Sequence, residues 1–384
     1  MKNIALLTIL ISLMALSGCR KDDIIYPPED EPVGKPEFTD VTGFYLLNEG
    51  NMGSNKCTLD FYDYTTGEYT RNIYGNANPS VPKELGDVGN DLEIYGSRLY
   101  AVVNCSNKVE VMDVATCKRI GQVDIPNCRY IVFDKGYAYV TSYAGPVEIN
   151  PDYEQKGFVA KVDTATLEVV DRCIVGFQPD GLAINKKKIY VANSGGYMVP
   201  NYESTVSVID LDTFTVTDEI EIAINLHQIL TDNQNRLWIS SRGDYYDTEG
   251  RLFCYDPEAA RIVKTFDLSV SDMWVDDDYI YTVATAWSYV SMSFEKKFAV
   301  IDTRSLEKIS DNFITDGTDA KISVPYGVAV NPITKEIFVT DARTYVNPGY
   351  LYCFTPEGTQ KWRVRTGDVP AHFAFTGKTE LKIK

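Results

Sequence analysis

The chain has 384 residues, 44% of them apolar, with 26 tyrosines and a formal charge of −17. The apolar share is ample for a packed core, while so acidic a surface repels DNA and RNA and sets nucleic-acid binding aside. The acids are scattered, which suits solubility, and no stretch sustains a 3.6-residue apolar period, so strands are expected and helix should be scarce.

Residues 1–18 read as a signal peptide. Lys2 supplies the positive start and Ile4 to Leu16 the apolar run, which is too short to span a bilayer. The run ends in Leu16-Ser17-Gly18-Cys19, which resembles a bacterial lipobox and implies lipidation at Cys19. Several acyl chains there would anchor the protein stably. Arg20-Lys21-Asp22-Asp23 resembles the surface-export signal of Bacteroidetes lipoproteins, implying an outer-membrane, cell-surface location. Residues 19–42, with Pro27, Pro28, Pro32 and Pro36 among acids, read as an extended tether.

From residue 43 onward one pattern recurs. It reads Phe61-Tyr62-Asp63, Val111-Met112-Asp113, Lys161-Val162-Asp163, Val208-Ile209-Asp210, Cys254-Tyr255-Asp256, Val300-Ile301-Asp302 and, with Thr for Asp, Cys353-Phe354-Thr355. A period of roughly 50 residues signals a solenoid or a propeller. The Asp carboxylate is placed to accept a backbone N–H two residues on and close a turn, after which a further strand follows. Upstream of each copy lies an aromatic in a small apolar strand: Tyr45, Tyr100, Tyr139, Tyr190, Trp238, Tyr281 and Phe338. Before that comes a run of small and apolar residues, as in Gly181-Leu182-Ala183-Ile184-Asn185. Each unit therefore holds four strands: inner A, aromatic B, Asp-ended C and outer D. Four short strands per repeat describe a propeller blade.

The chain begins this pattern on a B strand (43–48) and finishes on an A strand, Ala371-His372-Phe373-Ala374-Phe375. The expectation is an all-β, seven-bladed propeller over residues 43–384, four antiparallel strands per blade, closed by the C-terminal strand joining the first blade. Closure removes free sheet edges between the first and last blades.

Seven cysteines remain besides Cys19, an odd number that leaves at least one thiol free. Cys254 and Cys353 occupy equivalent C-strand positions and read as small core residues. Cys105 follows a B strand and Cys128 precedes an A strand on the same face, which makes them a candidate disulfide.

In a propeller the B-to-C and D-to-A connections share one face. Here the B-to-C loops at 142–157, 193–205, 241–250, 285–297 and 341–350 are long, and each carries at least two aromatics. Long loops on a rigid scaffold commonly carry function. Their contents are Tyr143 and Tyr153; Tyr197, Met198 and Tyr202; Arg242, Tyr245 and Tyr246; Trp287, Tyr289, Met292 and Phe294; Arg343, Tyr345, Asn347 and Tyr350. Tyrosine and tryptophan with Arg and Asn make up binding hot spots. Aligning the A strands predicts the channel mouth. A first ring holds Asn90, Arg129, Asp180, His227, Ser271, Tyr326 and Ala371; the next holds Asp91, Tyr130, Gly181, Gln228, Asp272, Gly327 and His372. Both histidines of the protein fall there. From loops and rings together the candidate ligand-binding residues are Arg129, Tyr143, Tyr197, Tyr202, His227, Arg242, Tyr245, Tyr246, Trp287, Tyr289, Tyr326, Arg343, Tyr345 and His372.

There is no GxSxG, HExxH, Walker or Rossmann glycine pattern. Two histidines without a CxxC pair do not supply a zinc site of the usual type. Asp91, Asp180 and Asp272 at the mouth offer oxygen ligands for calcium in the manner of lactonase propellers.

Segments such as Ile189-Tyr190-Val191-Ala192-Asn193 and Val206-Ser207-Val208-Ile209-Asp210 resemble the YncE and surface-layer family of seven-bladed propellers. That likeness specifies a fold and hardly a function. The narrower resemblance is to the BtuG family, surface lipoproteins of gut Bacteroides, and is carried by Cys19, Lys21-Asp22-Asp23, the Pro-rich tether, the seven blades and the aromatic loop face. It implies a non-catalytic protein that binds a corrinoid such as cobalamin and passes it to a TonB-dependent outer-membrane transporter of the BtuB type. No catalytic cofactor is implied; the corrinoid is the ligand. The binding residues above come from loop geometry, not from that likeness. Two alternatives stand beside it: a glycan- or protein-binding adhesion module, and a calcium-dependent lactonase-like hydrolase.

Overall fold

The repeated aspartate shapes six of the seven blades, the seventh carrying Thr355 in its place. Asp63 Oδ1 accepts the backbone N–H of Thr65 at 2.7 Å, and Asp163, Asp210, Asp256 and Asp302 accept those of Ala165, Asp212, Glu258 and Arg304 at 2.8–3.0 Å. Asp113 instead takes Thr116, three residues on, at 3.0 Å. Each bond turns the chain from a C strand into its D strand.

These turns organise a computed structural model that describes residues 30–35, 39–288 and 293–377, excepting the side chains of 286–288 and 293–294. The signal peptide, Cys19 and the export signal lie outside the described residues. Seven antiparallel sheets form the fold. Blade 1 runs A to D as Pro370–Gly377, Val41–Asn48, Thr58–Asp63 and Glu68–Thr70; blade 2 as Gly89–Tyr95, Arg98–Val103, Lys108–Asp113 and Arg119–Asp124. Blade 3 comprises Cys128–Asp134, Tyr137–Ser142, Phe158–Asp163 and Glu168–Ile174, and blade 4 Pro179–Asn185, Lys188–Asn193, Thr205–Asp210 and Thr215–Glu221. Blade 5 comprises Leu226–Thr231, Leu237–Ser241, Arg251–Asp256 and Arg261–Phe266. Blade 6 comprises Asp272–Asp276, Tyr279–Ser288, Ser293–Asp302 and Glu307–Ser310, and blade 7 Pro325–Val330, Ile337–Asp341, Pro348–Phe354 and Gln360–Asp368. The inner strands touch one another in cyclic order, so the sheets close into a ring. Helix among the described residues amounts to one turn at Ile73–Ala77 and a 3-10 turn at Thr318–Lys321. None of the described helices is long and apolar enough to cross a membrane.

The C-terminal strand supplies the inner edge of blade 1, with Phe44 opposite Phe375 and Leu46 opposite Phe373. Phe44 there meets Phe338 of blade 7 at 4.8 Å between ring centroids, within a buried cluster that includes Tyr62, Tyr64 and Phe373. Tyr64 donates to Glu336 Oε2 at 2.7 Å and accepts from Asn331 Nδ2 at 2.8 Å, tying the first blade to the last. Such packed aromatic pairs add to plain area burial.

Three expectations are revised. Asp30–Pro32, read as tether, forms a fifth strand on the outer edge of blade 1, with Asp30 opposite Thr70 and Pro32 opposite Glu68. The proline tolerates this place because an edge strand need not donate on both sides. Most of the region 285–297 belongs to the tip of a hairpin whose two ten-residue strands are Tyr279–Ser288 and Ser293–Asp302, with Trp287 opposite Phe294 and Ser288 opposite Ser293. Its alternating residues continue the ladder rather than leaving it. The candidate disulfide does not form: Cys105 and Cys128 are both free. The Cys128 thiol is buried between blades 2 and 3 and donates to the Lys108 carbonyl at 3.3 Å, whereas Cys105 lies at the mouth and donates to Asn104 Oδ1 at 3.4 Å.

Candidate functional site

The ends of the A strands and the B-to-C loops surround a cavity of about 960 Å³ at one end of the central channel. It narrows into a channel section of about 150 Å³, with which it shares Tyr130, Gln228, Asp272 and His372. The upper volume is at the large end of the range for small-molecule and cofactor sites.

Asp180 organises one wall. It is the second residue of the A strand of blade 4 and is fully buried. Arg129 Nε of blade 3 donates to Oδ1 at 2.9 Å, Arg242 Nη1 of blade 5 to Oδ2 at 2.9 Å, and Tyr143 Oη to Oδ1 at 2.7 Å. Burial alone would raise the carboxyl pKa; the charges of Arg129 and then Arg242 outweigh it and pull the group down to about 2. The Arg129 guanidinium also lies over the Tyr143 ring, 4.8 Å from its centroid. Beside them Tyr130 Oη and His227 Nε2 are 2.8 Å apart. Burial, and then the Arg242 charge, hold His227 well below the ordinary histidine value, so the imidazole is neutral at neutral pH.

The opposite wall is acidic. Glu49, just beyond the B strand of blade 1, accepts Tyr326 Oη at 2.8 Å on Oε2 and holds His372 Nε2 at 3.0 Å on Oε1. Burial pulls His372 down, but the hydrogen bond and charge of Glu49 prevail and its pKa is raised. Asp272 accepts Gln228 Nε2 at 2.6 Å and the Val328 N–H at 2.8 Å, while Asp91 accepts the Ile131 N–H at 2.9 Å. The three carboxylates considered as calcium ligands thus each bond to protein donors, and all three staple neighbouring blades together. Among the described residues no group of three or more His, Cys, Asp or Glu side chains is placed to hold a metal ion.

Nine of the fourteen candidate binding residues line the cavity: Arg129, Tyr197, His227, Arg242, Tyr245, Tyr246, Tyr326, Tyr345 and His372. Tyr245, Tyr246 and Tyr345 form an exposed rim, at 65%, 70% and 42% accessibility. Three others turn away from it. Tyr143 is buried behind Arg129, serving Asp180. Tyr202 Oη reaches the Asp244 carbonyl of the neighbouring loop at 3.5 Å. Arg343 closes its own loop, donating to the Pro348 carbonyl at 3.3 Å beneath the Tyr350 ring. Tyr289 lies outside the described residues, and of Trp287 only its place in the strand register is described.

Sequence reasoning did not select Asp180, Tyr130, Gln228 or Glu49 as binding residues. The first three stand in the aligned A-strand rings. Glu49 would have come from aligning the residues that follow the B strands, where it sits in register with Asn104, Tyr143, Ser194 and Arg242.

Solved structures confirm the architecture. The chain is similar to a quinoprotein alcohol dehydrogenase-like protein from Bacteroides thetaiotaomicron, with 12% identity, a TM-score of 0.58, and coverage of 88% of this chain and 79% of that one. It is similar to hydrazine synthase from Kuenenia stuttgartiensis at 16% identity and a TM-score of 0.54, covering 69% of this chain and 76% of that one. The WD40 domain of Neurospora crassa Pan2 matches at 10% identity and a TM-score of 0.52, over 75% of this chain and 79% of that one. At such identities the likeness is one of fold. No curated protein matches the chain. The model of a domain of unknown function, DUF5074, matches residues 42–355, which is nearly the whole ring, and the chain belongs to that family.

Proposed function

We propose that this chain is a non-catalytic surface lipoprotein that captures a corrinoid at the channel mouth and passes it to a TonB-dependent outer-membrane transporter. The observation that carries the reading is the mouth itself: a cavity of about 960 Å³ with polar walls and a rim of exposed tyrosines. A corrinoid is a rigid, wide disc rimmed by amides. Tyrosine presents flat apolar area at low entropy cost, with a hydroxyl for those amides. A closed ring of seven sheets holds that surface still, so little ordering is needed on binding.

The outer strand supports the anchoring part of the reading. Asp30–Pro32 runs antiparallel to Glu68–Thr70, whose Thr70 end leads to the mouth-side connection into blade 2, so at Asp30 the chain is heading away from the mouth face. Cys19 precedes Asp30 by eleven residues, which reach at most about 40 Å. A lipid there would hold the mouth toward the membrane and a transporter within it. A second reading, glycan binding, is favoured by the adjacent exposed rings of Tyr245 and Tyr246, which suit sugar stacking.

Calorimetry decides between them. Cyanocobalamin should bind the purified protein, and Tyr245→Ala with Tyr246→Ala should weaken it by about tenfold or more without lowering the melting temperature. Absence of heat at micromolar protein, together with retention on a glycan array, sinks the corrinoid reading in favour of the second.

A further inference from the structure

Two arginines share one carboxylate at the mouth of a protein whose formal charge is −17. Asp180 is the only carboxylate that either Arg129 or Arg242 touches among the described residues. It engages one nitrogen of each guanidinium, so this wall carries a net positive charge while Glu49 stands opposite. Both arginines line the cavity. His227 joins them on the wall at 7% accessibility, and its Nδ1, unlike Nε2, has no hydrogen-bond partner. A buried polar atom without a partner is rare and points to a missing ligand or water.

We propose that Arg129, Arg242 and His227 form an anion seat that takes a phosphate or carboxylate borne by the ligand, while the rim tyrosines meet its apolar body. This inference rests on the mouth being the ligand site and adds the chemistry of one side of it. Asp180 makes the seat rigid: it holds each guanidinium at 2.9 Å, and Tyr143 braces both Asp180 and Arg129. A fixed planar fork suits two-point contact with an oxyanion.

The probes are phenyl phosphate and benzoate, with benzyl alcohol as neutral control, titrated into the purified protein and followed by calorimetry and by the histidine ring resonances. At least one anion should bind with a Kd of about 1 mM or below, and the alcohol should not. A phosphate seat prefers phenyl phosphate and a carboxylate seat benzoate. Binding should shift the His227 resonance and leave His372 in place, a readout that needs no variant. Arg242→Gln should weaken the anion about tenfold, with Arg242→Lys in between. The proposal is overturned if neither anion binds below about 10 mM, if the His372 resonance moves instead of His227, or if a folded Arg242→Gln binds anions unchanged. If cyanocobalamin fails to bind while the anions bind at His227, only the corrinoid reading is lost; cyanocobalamin binding with no anion effect removes only the seat.

Discussion

Tyr130 and His227 are joined at 2.8 Å, oxygen to Nε2, although a whole blade separates their strands. The intervening blade makes this possible at Gly181. A β-carbon built there would lie 2.7 Å from the His227 carbonyl oxygen and 3.0 Å from Gln228 Cα, so blade 5 packs against bare backbone. Gly181→Ala should therefore cost about 1–3 kcal/mol, because the obstructing atoms are main chain. Gly121→Ala, which meets only the movable end of Leu167 at 3.0 Å, should cost less. Denaturant unfolding of the two variants side by side checks this; equal stability removes the packing argument.

Asp180 should leave a signature in acid. Its carboxyl is depressed to about 2 in the folded protein from about 3.9 in an unfolded chain. The native state then binds fewer protons than the unfolded state between those values. The stabilisation is complete above about pH 4 and disappears as pH falls through about 2, a loss of about 2–3 kcal/mol. Asp91 and Asp272, whose pKa values burial raises, work in the opposite sense, since acid relieves them. The comparison of wild type with Asp180→Asn isolates the Asp180 share: the gap in unfolding free energy should be wide at pH 5 and shrink toward pH 2. A constant gap contradicts the ion-pair account.

With only two histidines, each ring can be followed separately by NMR. The resonance of His372 should titrate above the ordinary histidine value of about 6.5, because Glu49 accepts its N–H and favours the charged ring. The stability it contributes is present below that ordinary value and fades as pH rises through the folded one. His227 should stay neutral well below pH 6.5. Glu49→Gln should bring the His372 midpoint down and leave His227 where it is. Two histidines titrating together would contradict the opposed environments.

The ring was legible because its signals are local. An Asp that closes a turn and an aromatic that fills a blade recur whatever surrounds them, and strand alignment then carried Arg129, His227, Tyr326 and His372 to the mouth. What escaped depends on direction: Tyr245 and Tyr345 line the mouth where they were expected, whereas Arg343 does not. Tyr245 and Tyr345 both adopt positive φ, at 66° and 63°, and so does Arg343 at 54°. Such backbone, disfavoured for bulky residues, aims two tyrosines into the mouth and folds Arg343 back on its own loop, and nothing in a hydrophobic period encodes that choice. Tyr143 escaped for a different reason: its hydroxyl turns to Asp180 on the A strand of the next blade, and strand alignment places both residues near the mouth without saying which way a side chain turns. The Cys105–Cys128 pairing failed similarly, since sharing a face does not say which way a thiol points.

The thiols offer a test of both fold and site. Cys57, Cys117, Cys128, Cys173, Cys254 and Cys353 are buried, and burial pushes Cys117, Cys128 and Cys254 up to about 12. Thiolate is the reactive form, so these should be silent toward an aromatic disulfide reagent in the native state. Cys105 is half-buried in the cavity wall; burial and then the Asp87 charge raise its pKa, so it should react, but slowly. Cys19 aside, one slow thiol is expected in the folded protein and seven in denaturant, with no change in melting temperature on adding reductant. A ligand seated in the mouth covers that wall, so saturating cyanocobalamin should slow Cys105 further and leave the count in denaturant at seven. Rapid reaction of several native thiols would contradict the packing between blades, and a Cys105 rate indifferent to bound corrinoid would place that ligand somewhere other than the mouth.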